Sequence, residues 1–189
     1  MNETDTGAGR LLRAASFAAK VHATHKRKGA SAEPYVNHVL EVARILAEAG
    51  APEEAILAGL LHDTVEDSDQ DPDPITHDRL VAEFGETVAR IVAEATDDKS
   101  LPKETRKALQ VKHAPTKSQA AKMLKLADKI SNLRAITASP PANWDHARRV
   151  EYIGWAGRVA AGLKGVNPAL DALFEATYRD AMAKLAAEA

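Results

Sequence analysis

Apolar residues recur along this chain at intervals of three and four, and no segment of convincing length alternates apolar with polar, so the pattern predicts helices throughout. Leu11, Leu12, Ala15, Ala18, Ala19 and His22 trace one buried face and predict a first helix from about Gly9 to Lys26. Gly29-Ala30-Ser31-Ala32-Glu33-Pro34 reads as a loop, with Gly and Pro as breakers. Val39, Val42, Ala43, Leu46 and Ala47 mark a second helix ending near Gly50. Pro52 then sits near the first turn of a third, where its missing N–H costs least. The stripe Ile56, Leu57, Leu60, Leu61 and Val65 carries that third helix from Glu53 to about Asp67.

Ser68 to Pro74 is a polar loop. Two helices follow, Ile75 to Phe84 and Glu86 to Ala95, separated by Gly85. After a loop from Thr96 to Pro102 come a polar helix to about His113 and a strong helical segment from Ser118 to about Ile136. Ser139-Pro140-Pro141 breaks the latter, and Asn143 to Leu163 and Pro168 to Ala187 complete the chain. Without a repeat or a long linker, the expectation is an all-α helical bundle forming one domain over residues 1–189, with residues 1–9 flexible.

Composition agrees. The 189 residues are 45% hydrophobic and 28% charged, an ordinary globular balance rich in Ala and poor in aromatics. With no cysteine, thiolate nucleophiles, disulfides and Cys-type metal sites are excluded. The N-terminus shows no secretion signal and no stretch has the length of a membrane helix, so a cytoplasmic protein without membrane attachment is expected. A net charge of −2 argues against a general nucleic-acid partner, although basic residues cluster at His25-Lys26-Arg27-Lys28 and at Arg148-Arg149.

The candidate chemistry lies at the end of the third helix, in Leu60-Leu61-His62-Asp63-Thr64-Val65-Glu66-Asp67. Two side chains able to bind a metal follow an apolar face, and Glu66 and Asp67 lie one turn further on. Charges seldom sit beside buried turns unless paired or metal-bound. His38 starts the second helix and Asp128 interrupts the apolar Leu126-Ala127 and Ile130. Two imidazoles and two carboxylates suit a divalent first-row ion, which would acidify a bound water and polarise a phosphoryl oxygen.

With these segments in view, the chain resembles the HD-domain alarmone hydrolases, in particular the small hydrolase-only relatives of the RelA/SpoT proteins. The resemblance runs from about Ala14 to Gly165. Arg27-Lys28, Pro34-Tyr35-Val36-Asn37-His38, Leu61 to Asp67, Phe84-Gly85, Thr96-Asp97-Asp98-Lys99, Lys125 to Arg134, Trp144 and Glu151-Tyr152 carry it. It departs from the family at Val39, where Pro is frequent, and in the loop Gly29 to Glu33, which is longer than in the long bacterial relatives.

The resemblance implies an HD-domain helical bundle in which His38, His62, Asp63 and Asp128 bind one ion, usually Mn2+. Glu66 and Asp67 then activate the attacking water. It implies substrate contacts from Arg27, Lys28, Lys99, Asn132, Arg148 and Tyr152. The expected reaction removes the 3′-pyrophosphate of ppGpp or pppGpp, with a small guanine nucleotide as the partner and no synthetase activity. Alternatives are an HD phosphohydrolase for another nucleotide (a nucleoside mono- or triphosphate, or NADPH) and a non-catalytic nucleotide-binding HD domain.

Each residue also has a plainer reading. Asp128 could pair with Lys125 or Lys129, and His38 could bond to backbone at its helix start. Arg27 and Lys28 could be a solvated basic face. The choice between Arg148 and Arg149 stays open. His22, His25, His77, His113 and His146 have no matching partners and read as surface or core histidines.

Overall fold

A computed structural model describes residues 6–68 and 72–188. Residues 1–5 of the stretch expected to be flexible, and residues 69–71 of the polar loop, lie outside them. Gly7 to Gly9 of that same stretch are helical, because Thr6 Oγ1 caps the Gly9 N–H at 3.2 Å.

Among the described residues ten α-helices follow in order: α1 (Gly7–Val21), α2 (Val36–Glu48), α3 (Glu53–Leu61), the single turn α4 (Thr64–Asp67), α5 (His77–Phe84), α6 (Glu86–Ala95), α7 (Lys103–His113), α8 (Gln119–Ala138), α9 (His146–Ala161) and α10 (Pro168–Ala187). A short 3₁₀ turn, Ala114–Thr116, leads into α8. Among the described residues the one β-type pairing is an isolated bridge between Lys26 and Pro34. None of these helices is long and apolar enough to cross a membrane.

Where boundaries differ from the periodicity, local hydrogen bonds explain them. The first helix stops at Val21, not Lys26, because the next limb pairs with the returning loop: Arg27 N–H donates to Glu33 at 2.8 Å and Tyr35 N–H to His25 at 2.9 Å. α9 begins at His146, after Asp145 has capped the Arg148 N–H at 2.8 Å and Trp144 N–H has closed a turn onto Pro141. Leu12, Ala19 and Ala47, expected on buried faces, are exposed. Gly85, between α5 and α6, has φ of 90°, a left-handed conformation open to a residue without Cβ.

The most informative difference is in the third helix, which does not run unbroken to Asp67. It is interrupted at His62-Asp63, where Asp63 adopts φ −98°, ψ −3°. The freed carbonyls are taken by side chains. His62 Nδ1 pairs with Gly59 O at 2.9 Å and Thr64 Oγ1 donates to Leu61 O at 2.7 Å. Helical bonding resumes from Asp67 N–H to Asp63 O at 2.8 Å.

α8 and α3 lie at the centre. α3 packs against α1, α2, α6 and α8, and α8 also meets α9 and α10. Helices enclosed in this way bury more than one face. On α8 the buried set runs from Ala121 to Ile136 and includes Lys125, Asp128, Lys129 and Ser131. Buried charges in such a position need partners, and those partners build the site.

Candidate metal centre

His38 on α2, His62 and Asp63 at the α3–α4 interruption, and Asp128 on α8 converge. His62 Nε2 lies 3.0 Å from Asp63 Oδ2 and 3.9 Å from Asp128 Oδ1. His38 Nε2 lies 3.3 Å from Asp128 Oδ1 and 3.7 Å from Asp63 Oδ2. His38, His62 and Asp128 are all buried, and one donor atom from each falls within 4.8 Å of the others.

The surroundings fix which nitrogen faces inward. Ser131 Oγ donates to Glu41 Oε2 at 2.7 Å, so it accepts from His38 Nδ1 at 2.9 Å. Arg134 holds the other Glu41 oxygen at 3.0 Å. His62 gives its Nδ1 hydrogen to the Gly59 carbonyl. In both neutral rings the Nε2 lone pair is therefore left for the cluster, the arrangement that metal-binding histidines adopt. His62 Nε2 is buried without a hydrogen-bond partner, so the donor set fits a divalent cation.

The carboxylates are equally constrained. Tyr35 Oη donates to Asp63 Oδ2 at 2.7 Å. Asn132 Nδ2 donates to Asp128 Oδ1 at 2.6 Å, and Lys129 Nζ to Asp128 Oδ2 at 3.0 Å. The two readings of Asp128 thus coexist, since it pairs with Lys129 and faces both imidazoles; Lys125 donates instead to Ala95 O. Burial opposes ionisation of Asp63 and Asp128. Even so, the facing His62 and Lys129 respectively hold them below the usual carboxylate range. Burial also opposes protonation of His62, but Asp63 and Asp128 outweigh it and push the ring up to about 9. A cation placed there takes over the role of that proton. At His38 burial outweighs the facing Asp128, and the ring is lowered.

Glu66 and Asp67 stand one turn beyond. Burial and the charge of Asp63 raise both. Lys99 Nζ bonds to the Glu66 carbonyl and lies 3.5 Å from Asp67 Oδ1, so it steadies this pair and does not line the neighbouring cavity.

That cavity, about 860 Å³, adjoins the cluster through Tyr35 and Asn132, which line it while bonding to Asp63 and Asp128. Arg27, Lys28, Arg148 and Tyr152 line it too. Arg27 Nη2 donates to Asn132 Oδ1 at 2.9 Å, and Arg148 lies 4.5 Å over the Trp144 ring. Arg149 instead pairs with Glu188 at 2.6 Å, away from the cavity. Sequence reading missed Lys103, Arg106 and Lys107 on this wall, although their spacing on a polar helix was a signal of a basic face. Tyr35, Ser131 and Glu41 were also missed; nothing in their spacing marks them, because they act through long-range contacts. His22 and His25, read as partnerless, face each other with Nδ1 atoms 3.1 Å apart.

Comparison with known proteins identifies the family. An HD-domain family model matches residues 14–156. A human protein named guanosine-3′,5′-bis(diphosphate) 3′-pyrophosphohydrolase MESH1 is 48% identical over 166 residues, 87% of this chain and 90% of that one. Its Xenopus tropicalis namesake is 46% identical over 90% of this chain and 93% of its own. A solved structure described as "A metazoan ortholog of SpoT hydrolyzes ppGpp and plays a role in starvation responses" superposes with a TM-score of 0.84 at 38% identity, covering 90% of this chain and 94% of that one. This chain belongs to the HD-domain family and, within it, to the group of the MESH1 proteins.

Proposed function

We propose that this chain hydrolyses ppGpp and pppGpp to GDP or GTP and pyrophosphate, using one divalent cation, manganese by preference. The observation that carries this reading is the convergence of two imidazole Nε2 atoms and two carboxylates beside a cavity lined by cations. Relatives of nearly the same length bear the name of that activity.

His38 and His62 would hold the cation through Nε2, and Asp63 and Asp128 through carboxylate oxygens. When bound, such an ion supplies Lewis acidity and makes a bound water more acidic. Glu66 and Asp67 take the proton of the attacking water; the raised affinity of both carboxyls for a proton suits that role. The water oxygen bonds to the phosphorus attached to the ribose 3′ oxygen. The bond from that phosphorus to the 3′ oxygen breaks, the 3′ oxygen regains a proton, and pyrophosphate leaves.

Seven cations line the cavity (Lys26, Arg27, Lys28, Lys103, Arg106, Lys107 and Arg148) against three carboxylates (Glu33, Asp97 and Glu151). That excess offsets the acidity of the metal wall for a polyanionic nucleotide. Arg27, Lys28 and Arg148 bind phosphate, Asn132 and Tyr152 bind nucleoside, and Lys99 positions Glu66 and Asp67.

The deciding experiment incubates purified protein with Mn2+ and ppGpp. GDP and pyrophosphate in equal amounts are expected, with no turnover after chelation. Turnover of GTP or NADPH without turnover of ppGpp would overturn the proposal.

A further inference from the structure

His22, His25 and Asp67 form a second cluster outside the four proposed ligands. His22 follows the last turn of α1, and the bond from His25 N–H to His22 O, 3.1 Å, folds His25 back over it. The two Nδ1 atoms then stand 3.1 Å apart, and Tyr35 N–H anchors the His25 carbonyl at 2.9 Å. One ring nitrogen from each histidine and one Asp67 oxygen all lie within 4.8 Å of one another.

Burial makes this more than a chance encounter. His22 is only 2% exposed, and its Nε2 is buried without a hydrogen-bond partner. A neutral imidazole carries one N–H. Whichever ring donates across the Nδ1 pair, His22 keeps an unsatisfied buried nitrogen, a costly state that calls for a ligand.

We infer that His22, His25 and Asp67 hold a second divalent cation, separate from the one proposed at His38, His62, Asp63 and Asp128. Two imidazole nitrogens and one carboxylate oxygen suit Zn2+, Mn2+, Co2+ or Fe2+ and leave positions for water or a phosphate oxygen. Lys99, 3.5 Å from Asp67 Oδ1, is the competing positive charge at this carboxylate. The two clusters are joined through the fold. Asp67 N–H bonds to Asp63 O, and the Tyr35 ring packs on His22 at 4.9 Å while its hydroxyl holds Asp63. A second cation here adds positive charge where Glu66 and Asp67 make the wall acidic, and with Asp67 ligated Glu66 alone takes the proton of the attacking water.

The test counts ions, so it is independent of which nucleotide the protein cleaves. Protein stripped with chelator is titrated with Co2+, followed by visible absorption and by calorimetry, and Mn2+ content is measured after gel filtration. Two equivalents per chain are expected for the wild type. His25→Ala and His25→Gln, each checked for an unchanged circular dichroism spectrum, should bind one, and His62→Ala should lose the other while keeping the His22–His25 absorption. A single equivalent in the wild type, or two in both folded His25 variants, overturns the second site.

Discussion

Ser131 and Glu41 contact neither the nucleotide cavity nor the centre of the cluster, yet they decide what His38 can do. Ser131 Oγ, oriented by its bond to Glu41, accepts the Nδ1 hydrogen of His38 and so keeps Nε2 deprotonated toward Asp128. Ser131→Ala should therefore weaken metal affinity, by about 10–100-fold for loss of such a supporting bond, as measured by competition with a chelator. Glu66→Gln makes a contrasting case. It should retain metal by elemental analysis while kcat falls by about 10²–10⁴-fold, the usual worth of general-base catalysis. At the α9 pair, Arg148→Ala should raise KM by about tenfold or more, the loss of one charge-assisted hydrogen bond. Arg149→Ala should leave KM unchanged, since Arg149 is occupied by Glu188.

At the scale of elements, the site depends on two irregularities. One is the interruption between α3 and α4, which hands the Gly59 carbonyl to the His62 ring and so orients it. The other is the docking of the loop after Gly29 onto the end of α8. A Cβ on Gly29 would come within 2.3 Å of the Ser139 carbonyl oxygen, a backbone atom that cannot step aside. Ser31 N–H donates to Ser139 Oγ at 3.0 Å and Ala30 N–H to Pro140 O at 3.3 Å. This contact places Arg27 and Lys28 on the cavity. Gly29→Ala should push the loop outward and raise KM several-fold with metal content unchanged, a split that kinetics and elemental analysis together would reveal. Equal loss of metal would show that the loop supports the cluster as well.

At the scale of the whole molecule, three helices meet at the proposed cation position: α2 carries His38, α3 and its break carry His62 and Asp63, and α8 carries Asp128. A cation that binds the folded chain and not the unfolded one stabilises it by mass action, about 2.7 kcal/mol at a hundredfold excess over Kd. Adding Mn2+ to the chelated protein should accordingly raise Tm by several degrees in a thermal melt. His62→Ala should lose the part of that rise that the His38–His62–Asp63–Asp128 site supplies and keep the part from the His22–His25–Asp67 site. The cationic cavity adds a second expectation: KM for a polyanionic nucleotide should increase with ionic strength while kcat changes little, because salt screens long-range attraction more than contacts within the site.

Periodicity alone delivered the helices, since each amphipathic stripe must bury one face wherever it lands. The order of His38, His62-Asp63 and Asp128 in the chain likewise singled out the side chains that the fold brings together. Some helix ends were legible where a side chain caps from nearby in sequence, as Ser118 does for α8 and Asn167 for α10, whereas the Asp145 cap of α9 was not read from its neighbours. They were not legible where the competing bond comes from a distant strand of the loop, as at Val21. The fold alone decided which arginine of Arg148-Arg149 faces the cavity, which imidazole nitrogen points inward, that Lys103, Arg106 and Lys107 share the wall with Arg27, and that His22 meets His25 and Asp67. These are relations between residues far apart along the chain, or between the two sides of one helix. Their energies come from desolvation and hydrogen-bond geometry, which exist only once the helices have packed.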